Sequence, residues 1–345
     1  MKFRSRVLHA LGMAALAALL ASCGGEALVP FNPARILVFG DQASVITVAP
    51  VPSEGRKYTI NALVADTDKI DCTHNLIWIQ VLATNYGMGF PECPLPTAAD
   101  ATAAQIAAAT AGRIRAQLGA TAGGTGPVDL TQQITRQLEL PVADGGAIGA
   151  TDLVAVYIGV NDVISAFERY KAGVITQAEA IAQAEQAGST YANQVNRIAN
   201  AGGKVIMATV PSVGVTPYAK PLHDPPTLDD LADRALLVTL TERVNARLLV
   251  EIDNNGRKIG LIEINPYVAA VVGNPLSYGY TNVNDAACLK EVDGGPLPVL
   301  ACTTKTLQPD ATSATWLWAD ALQLSPQGHA QLGSLALTRA RNQPF

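Results

Sequence analysis

The sequence predicts an α/β protein, a three-layer α/β/α sandwich with a central parallel sheet. Short apolar runs that fit buried strands start at Ile36, Asp152, Lys204 and Ile259. Amphipathic stretches of helical length lie between them. Strands and helices that alternate in this way place a parallel sheet between two helical layers.

The first run, Ile36 to Phe39, is too short for a helix and stops at Gly40-Asp41, as a buried parallel strand does. Such strands deliver their next residues to a ligand crevice. Tyr58 to Val64 reads as a short edge strand after the turn-rich stretch 50–56. Asn75 to Tyr86 places Leu76, Ile79, Leu82 and Ala83 at helical spacing, with Gly87 as its stop. Residues 97–111, rich in alanine and threonine, read as partly helical, and Leu130 to Leu138 as a helix. The strand beginning at Asp152 runs into Gly159. A helix over Gln177 to Ala201 leads to the strand Lys204 to Val210, ended by Pro211. The next helix, Leu228 to Asn254, is expected to turn Leu231, Ala235, Val238, Val244 and Leu248 inward, with Gly256 beyond its end. The strand Ile259 to Ile264 follows. No internal repeat or linker divides residues 35–345, which are expected to form one domain.

With 345 residues, 49% hydrophobic and 15% charged, the chain can bury a substantial core. Its net charge is −5 and its basic residues are scattered, so nucleic acid is not an expected partner. Lys2, Arg4 and Arg6 precede an apolar run from Leu11 to Ala21, which marks residues 1–22 as a targeting signal. Leu20-Ala21-Ser22-Cys23 resembles a bacterial lipobox, which implies that Cys23 carries the lipid and that residues 23–34 form a tether. Gly24 after the cysteine favours the outer membrane, and the expected location is the cell envelope, anchored by lipid. Four further cysteines allow three pairings. Cys72 with Cys93 and Cys288 with Cys302 close short loops at least chain-entropic cost. No CxxC or His/Cys cluster suggests a metal, and no cofactor is expected.

Several stretches, in order, resemble the GDSL or SGNH hydrolases. Gly40-Asp41 is the opening of their first block, where the nucleophilic serine comes next, but here Gln42 follows. Ala116 to Gly123 is similar to the second block, whose glycine N–H faces the reaction centre; Gly119 is the chosen residue, with Gly112 and Gly123 as alternatives. Gly159-Val-Asn161-Asp162 resembles the third block, which implies an oxyanion donor role for the Asn161 amide. Asn274 to Asn282 resembles the secreted and autotransporter-type branch. Trp316 to His329 is similar to the last block: Asp320 matches the aspartate and Gly328-His329 the trailing pair, while Gln323 holds the place of the histidine. The resemblance implies a flavodoxin-like fold and a carboxylic-ester hydrolase ancestry.

A carboxamide has no nucleophilic lone pair and cannot shuttle a proton near neutral pH, so Gln42 and Gln323 remove both halves of the proton relay. The expectation is an envelope lipoprotein that binds an ester, acyl or acetylated-glycan small molecule with little or no turnover. One alternative is an active esterase using Ser44 as nucleophile with His329 or His223 as base, and another is a structural envelope protein. Asp41 is expected to hold its loop through backbone hydrogen bonds. Asp320 is expected to be an orienter bonded to Gln323. Ser44 is expected at a helix start as a cap, and His329 early in the terminal helix.

Overall fold

The computed structural model describes residues 31–47, 55–123, 128–141, 145–221, 223–253 and 257–342. The signal segment, Cys23, most of the tether and Gly256 lie outside them.

Five parallel strands make the sheet: β1 (Arg35–Gly40), β2 (Arg113–Ile114), β3 (Asp152–Tyr157), β4 (Lys204–Ala208) and β5 (Ile259–Ile262), in the order β2-β1-β3-β4-β5. The expected parallel sheet is borne out. β1 and β3 lie in the centre, paired from Arg35 opposite Asp152 to Gly40 opposite Tyr157, so residues 41 and 158 onward leave the sheet side by side. Arg35 fixes the start of that register by donating Nε and Nη2 to the two Asp152 oxygens at 2.8 and 2.9 Å.

The helices are α1 (Trp78–Thr84), α2 (Ala103–Ala108), α3 (Leu130–Glu139), α4 (Val160–Lys171), α5 (Gln177–Asn200), α6 (Leu228–Glu251), α7 (Ile264–Gly273) and α8 (Pro326–Asn342). Alternate strand residues point to opposite faces. Leu37, Phe39, Val154, Val156, Val205 and Met207 pack with α3, α5 and the end of α6. On the other face α1 and α8 pack against each other, and α8 against β4 and β5. Among the described residues no helix is long and apolar enough to cross a membrane.

Several boundaries differ from the sequence reading. In α6 the buried stripe is Leu237, Leu240, Val244 and Leu248, whereas Leu231 and Ala235 are exposed. The run Leu236-Leu237-Val238 permits two helical phases, and the packing of Val244 and Leu248 selects the one through Leu237. The expected edge strand at 58–64 shrinks to Ala62–Leu63 paired with Ile70–Asp71. The rest is held by buried polar side chains instead of a ladder: Asn61 Nδ2 donates to the carbonyls of Lys57 and Cys302, and Thr59 Oγ1 to that of Leu324. The disulfides Cys72–Cys93 and Cys288–Cys302 form as the short-loop pairing expected.

Candidate functional site

The chain leaves β1 through Gly40, whose φ of +137° and contact with the Tyr157 carbonyl leave no room for a side chain. Gln133 of α3 pairs with its backbone, accepting from Gly40 N–H and donating to Gly40 C=O, both at 2.9 Å. A single 3₁₀ turn follows, Gln42–Ser44, with Asp41 as its N-cap. The Asp41 carboxylate accepts from Ala43 N–H at 3.0 Å, the backbone-holding role expected of it.

Two further segments converge on this turn. The loop after β2 runs beside β1, with Gln117 N–H donating to the Gly40 carbonyl, and brings Gly119 forward at φ +73°. No other atom lies within 4 Å of where a Cβ at Gly119 would stand, so conformation rather than space is what calls for glycine there. Asn161 comes from the first turn of α4. Beside it, the Asp162 carboxylate accepts from Ala122 and Gly123 N–H, both at 2.8 Å, and clamps the glycine loop to the helix.

The centre of the site is a closed set of hydrogen bonds around Gln42. Its Oε1 accepts from Gly119 N–H at 3.1 Å and from Asn161 Nδ2 at 3.0 Å, while its Nε2 donates to Asn161 Oδ1 at 3.1 Å. Asn161 Nδ2 also donates to the Ala120 carbonyl at 2.8 Å. Both carboxamide orientations are fixed by backbone: Gly119 N–H can only donate, so it faces the Gln42 oxygen, and Ala120 C=O can only accept, so it faces the Asn161 nitrogen. Of the three candidate glycines, Gly119 is the one that meets Gln42. Gly123 serves Asp162, and Gly112 lies under the Phe90 ring.

Gln323 sits in the turn after the short strand Trp316–Trp318. Asp320 Oδ1 accepts from the backbone N–H groups of Leu322 and Gln323 at 2.8 and 2.6 Å. The bond expected between Asp320 and Gln323 therefore exists, but with the backbone of Gln323 and not its carboxamide: three residues after a turn-opening aspartate, the N–H is the donor within reach. Gln323 and Asp41 both line a cavity of about 10 Å³, room for one water, together with Ala43 and Tyr157. Gln42 and Asn161 are thus in direct contact, and Gln323 shares a cavity with Asp41 and Ala43, the residues on either side of Gln42.

Ser44 and His329 are both wholly buried and are held by the same residue. Ser44 Oγ accepts from the Trp78 indole N–H at 3.0 Å, and His329 Nδ1 accepts from Trp78 backbone N–H at 3.4 Å. Ser44 lies inside the 3₁₀ turn and caps nothing, because its hydroxyl faces the core. No hydrogen bond joins Ser44 to His329 among the described residues. Burial pushes the imidazole down to about 3, so it is neutral at ordinary pH. His223 pairs with Asp230 at the start of α6, at 2.9 Å.

Burial also governs the carboxylates. It pushes Asp41 up to about 7, against the opposing Ala43 hydrogen bond and with help from the nearby Asp162 charge, and it pushes Asp162 up to about 6. The unfolded chain releases the Asp41 proton near pH 4, whereas the folded chain keeps it until about pH 7. The stabilising contribution is therefore complete below pH 4 and is lost as pH rises through 7. Asp41→Asn keeps an oxygen for Ala43 N–H and does not titrate. Between pH 4.5 and 8 the Tm difference between the two proteins is expected to move by several degrees in favour of the variant. A constant difference would contradict this environment for Asp41.

Sequence reasoning left unassigned three residues that shape the site: Asp162, Gln133 and Trp78. Asp162 was visible beside Asn161, but only its partners 40 residues away reveal the clamp.

Gly119 and Asn161 also line an open cleft of about 540 Å³, with Thr121, Ser165, Glu168 and Arg169. Among the described residues no group of side chains is arranged to hold a metal ion.

The chain is similar in fold to several solved structures. The protein YXIM from Bacillus subtilis is 15% identical, with 89% of this chain and 55% of that one covered and a TM-score of 0.35, so the match spans about half the length of that protein. Axe2, an acetylxylan esterase from Geobacillus stearothermophilus, is 14% identical, with 90% and 96% covered and a TM-score of 0.36. A member of the lipolytic protein G-D-S-L family from Veillonella parvula is 11% identical, with 77% and 93% covered and a TM-score of 0.34. No curated protein matches the sequence. The sequence model for GDSL-like lipase/acylhydrolases matches residues 59–336, well over half of the chain, and on that extent this protein belongs to the GDSL-like lipase/acylhydrolase family.

Proposed function

We propose that this chain is a lipid-anchored envelope protein of the family that binds a small ester, acyl or acetylated-glycan molecule and turns it over little or not at all. Gln42 holds the nucleophile's place and Gln323 the base's place. The observation that carries this reading is the occupancy of the donor pair: Gly119 N–H and the Asn161 amide, suited to a substrate's carbonyl oxygen, are both engaged by Gln42 Oε1. Neither carboxamide can attack or relay a proton. The cleft beside Asn161 gives a ligand room, which favours binding over a purely structural role.

The test is hydrolysis of short p-nitrophenyl esters by the protein freed of lipid. The expected result is a rate barely above buffer, and turnover on the order of 10 per second would refute the proposal. Ser44→Ala separates it from an esterase built on Ser44. Because Ser44 accepts from the buried Trp78 indole, its loss is expected to cost about 1–3 kcal/mol of stability and to leave fluorophosphonate labelling at background. Labelling of the parent protein that vanishes in Ser44→Ala would favour the esterase. The anchor is tested by mass analysis of the N-terminal peptide, with the lipid expected on Cys23 and absent in Cys23→Ala.

A further inference from the structure

The hydrogen bonds that Gln42 makes also describe what else could sit in its place. An oxygen there meets two donors, Gly119 N–H and Asn161 Nδ2. Next to it stands an acceptor, Asn161 Oδ1, which receives Gln42 Nε2. That acceptor cannot become a donor by turning over, because the Ala120 carbonyl holds Asn161 Nδ2 where it is. The seat therefore requires a C=O and an N–H on the same edge of one planar group.

We propose that this seat selects primary carboxamide or carbamoyl groups over esters. The inference rests on the proposal that a small acyl molecule binds in the cleft beside Asn161, and it adds that the molecule's polar group takes the seat in competition with Gln42. An ester carbonyl satisfies both donors but leaves Asn161 Oδ1 facing an oxygen without a proton. A secondary trans amide turns its N–H away from its carbonyl and fails in the same way. A carboxylate sets a charged oxygen against Oδ1. Only a primary amide, or a group with the same edge, satisfies all three positions, and a group that sets an oxygen against the half-buried Asn161 Oδ1 forgoes that hydrogen bond. A ligand reaches the seat from the cleft, since Gly119 and Asn161 both line it. In the parent protein such a ligand competes with Gln42 itself.

Gln42→Ala deletes the atoms of acetamide and vacates the seat. The experiment titrates this variant with acetamide, methyl acetate, N-methylacetamide and acetate, following the Gly119 amide and Asn161 side-chain signals by NMR. Acetamide is expected to bind at least about tenfold more tightly than each of the others, and to leave the parent protein's signals unmoved over the same range. Equal affinity for acetamide and methyl acetate would overturn the selectivity while leaving the seat as a ligand site. If none of the four moves those signals in the folded variant, the reading of the seat as a ligand site falls as well. Gln42→Gly, which removes the same carboxamide together with Cβ, repeats the titration if the alanine variant does not fold.

Discussion

Replacing Gln42 by serine and Gln323 by histidine together is expected to raise esterase activity by about 10³-fold or more on p-nitrophenyl acetate. Each single replacement is expected to gain less than about tenfold, since a serine without a base and a base without a nucleophile are each nearly inert. The double variant has two effects at once. It supplies the oxygen and the imidazole, and it removes the carboxamide from Gly119 N–H and Asn161, freeing both donors for a developing oxyanion. Asp320 is already fixed in the turn that would carry the new imidazole, by bonds from the backbone of Leu322 and Gln323. Steady-state kinetics on the two single variants and the double variant decide the matter. A folded double variant no faster than its parent would show that positions 42, 161 and 323 are not aligned for acyl transfer.

Gly40→Ala is expected to be the most damaging single substitution near the site, costing more than about 3 kcal/mol and leaving little folded protein. A Cβ there would lie 2.0 Å from the Tyr157 carbonyl oxygen, a backbone atom of the neighbouring central strand that cannot step aside. The φ of +137° adds conformational strain for any L side chain. The same shift would break the paired bonds between Gln133 and the Gly40 backbone, which hold α3 to the end of β1. Urea denaturation measures the loss. A cost below about 1 kcal/mol would mean that the end of β1 adapts far more freely than this geometry allows.

Four of the five strands were legible because buried parallel strands leave an apolar run, whereas the two-residue edge strand Arg113–Ile114, half-exposed and charged, leaves none. The apolar runs at Ile36, Leu153 and Val205 are each buried on both sides, and the run at Ile259 nearly so, and they need no partner in sequence to be recognised. Asn161, Gly119 and Asp41 were legible by their order along the chain. Residues that act through distant partners were not. Ser44 is an ordinary serine until Trp78 is seen donating to it, and His329 is a candidate base until the same tryptophan is found at its Nδ1. The phase of α6 failed for a related reason: adjacent leucines admit two inward faces, and only the packing of the neighbouring helices selects one. Most telling is Gln42. Its chemistry could be read as a loss of nucleophilicity, but sequence alone gives no sign that the carboxamide turns back into the two donors beside it.

The occupancy of those donors is accessible to NMR on the parent protein with glutamine side chains labelled with ¹⁵N. If Gln42 is bound as described, its Nε2 protons exchange with water at least about 100-fold more slowly than those of exposed glutamines, and the carboxamide shows a nuclear Overhauser contact to the Gly119 amide proton. A carboxamide exchanging at the free rate, with no contact to Gly119, would mean that the donor pair stands open and that the occupancy on which the proposed lack of turnover rests is wrong.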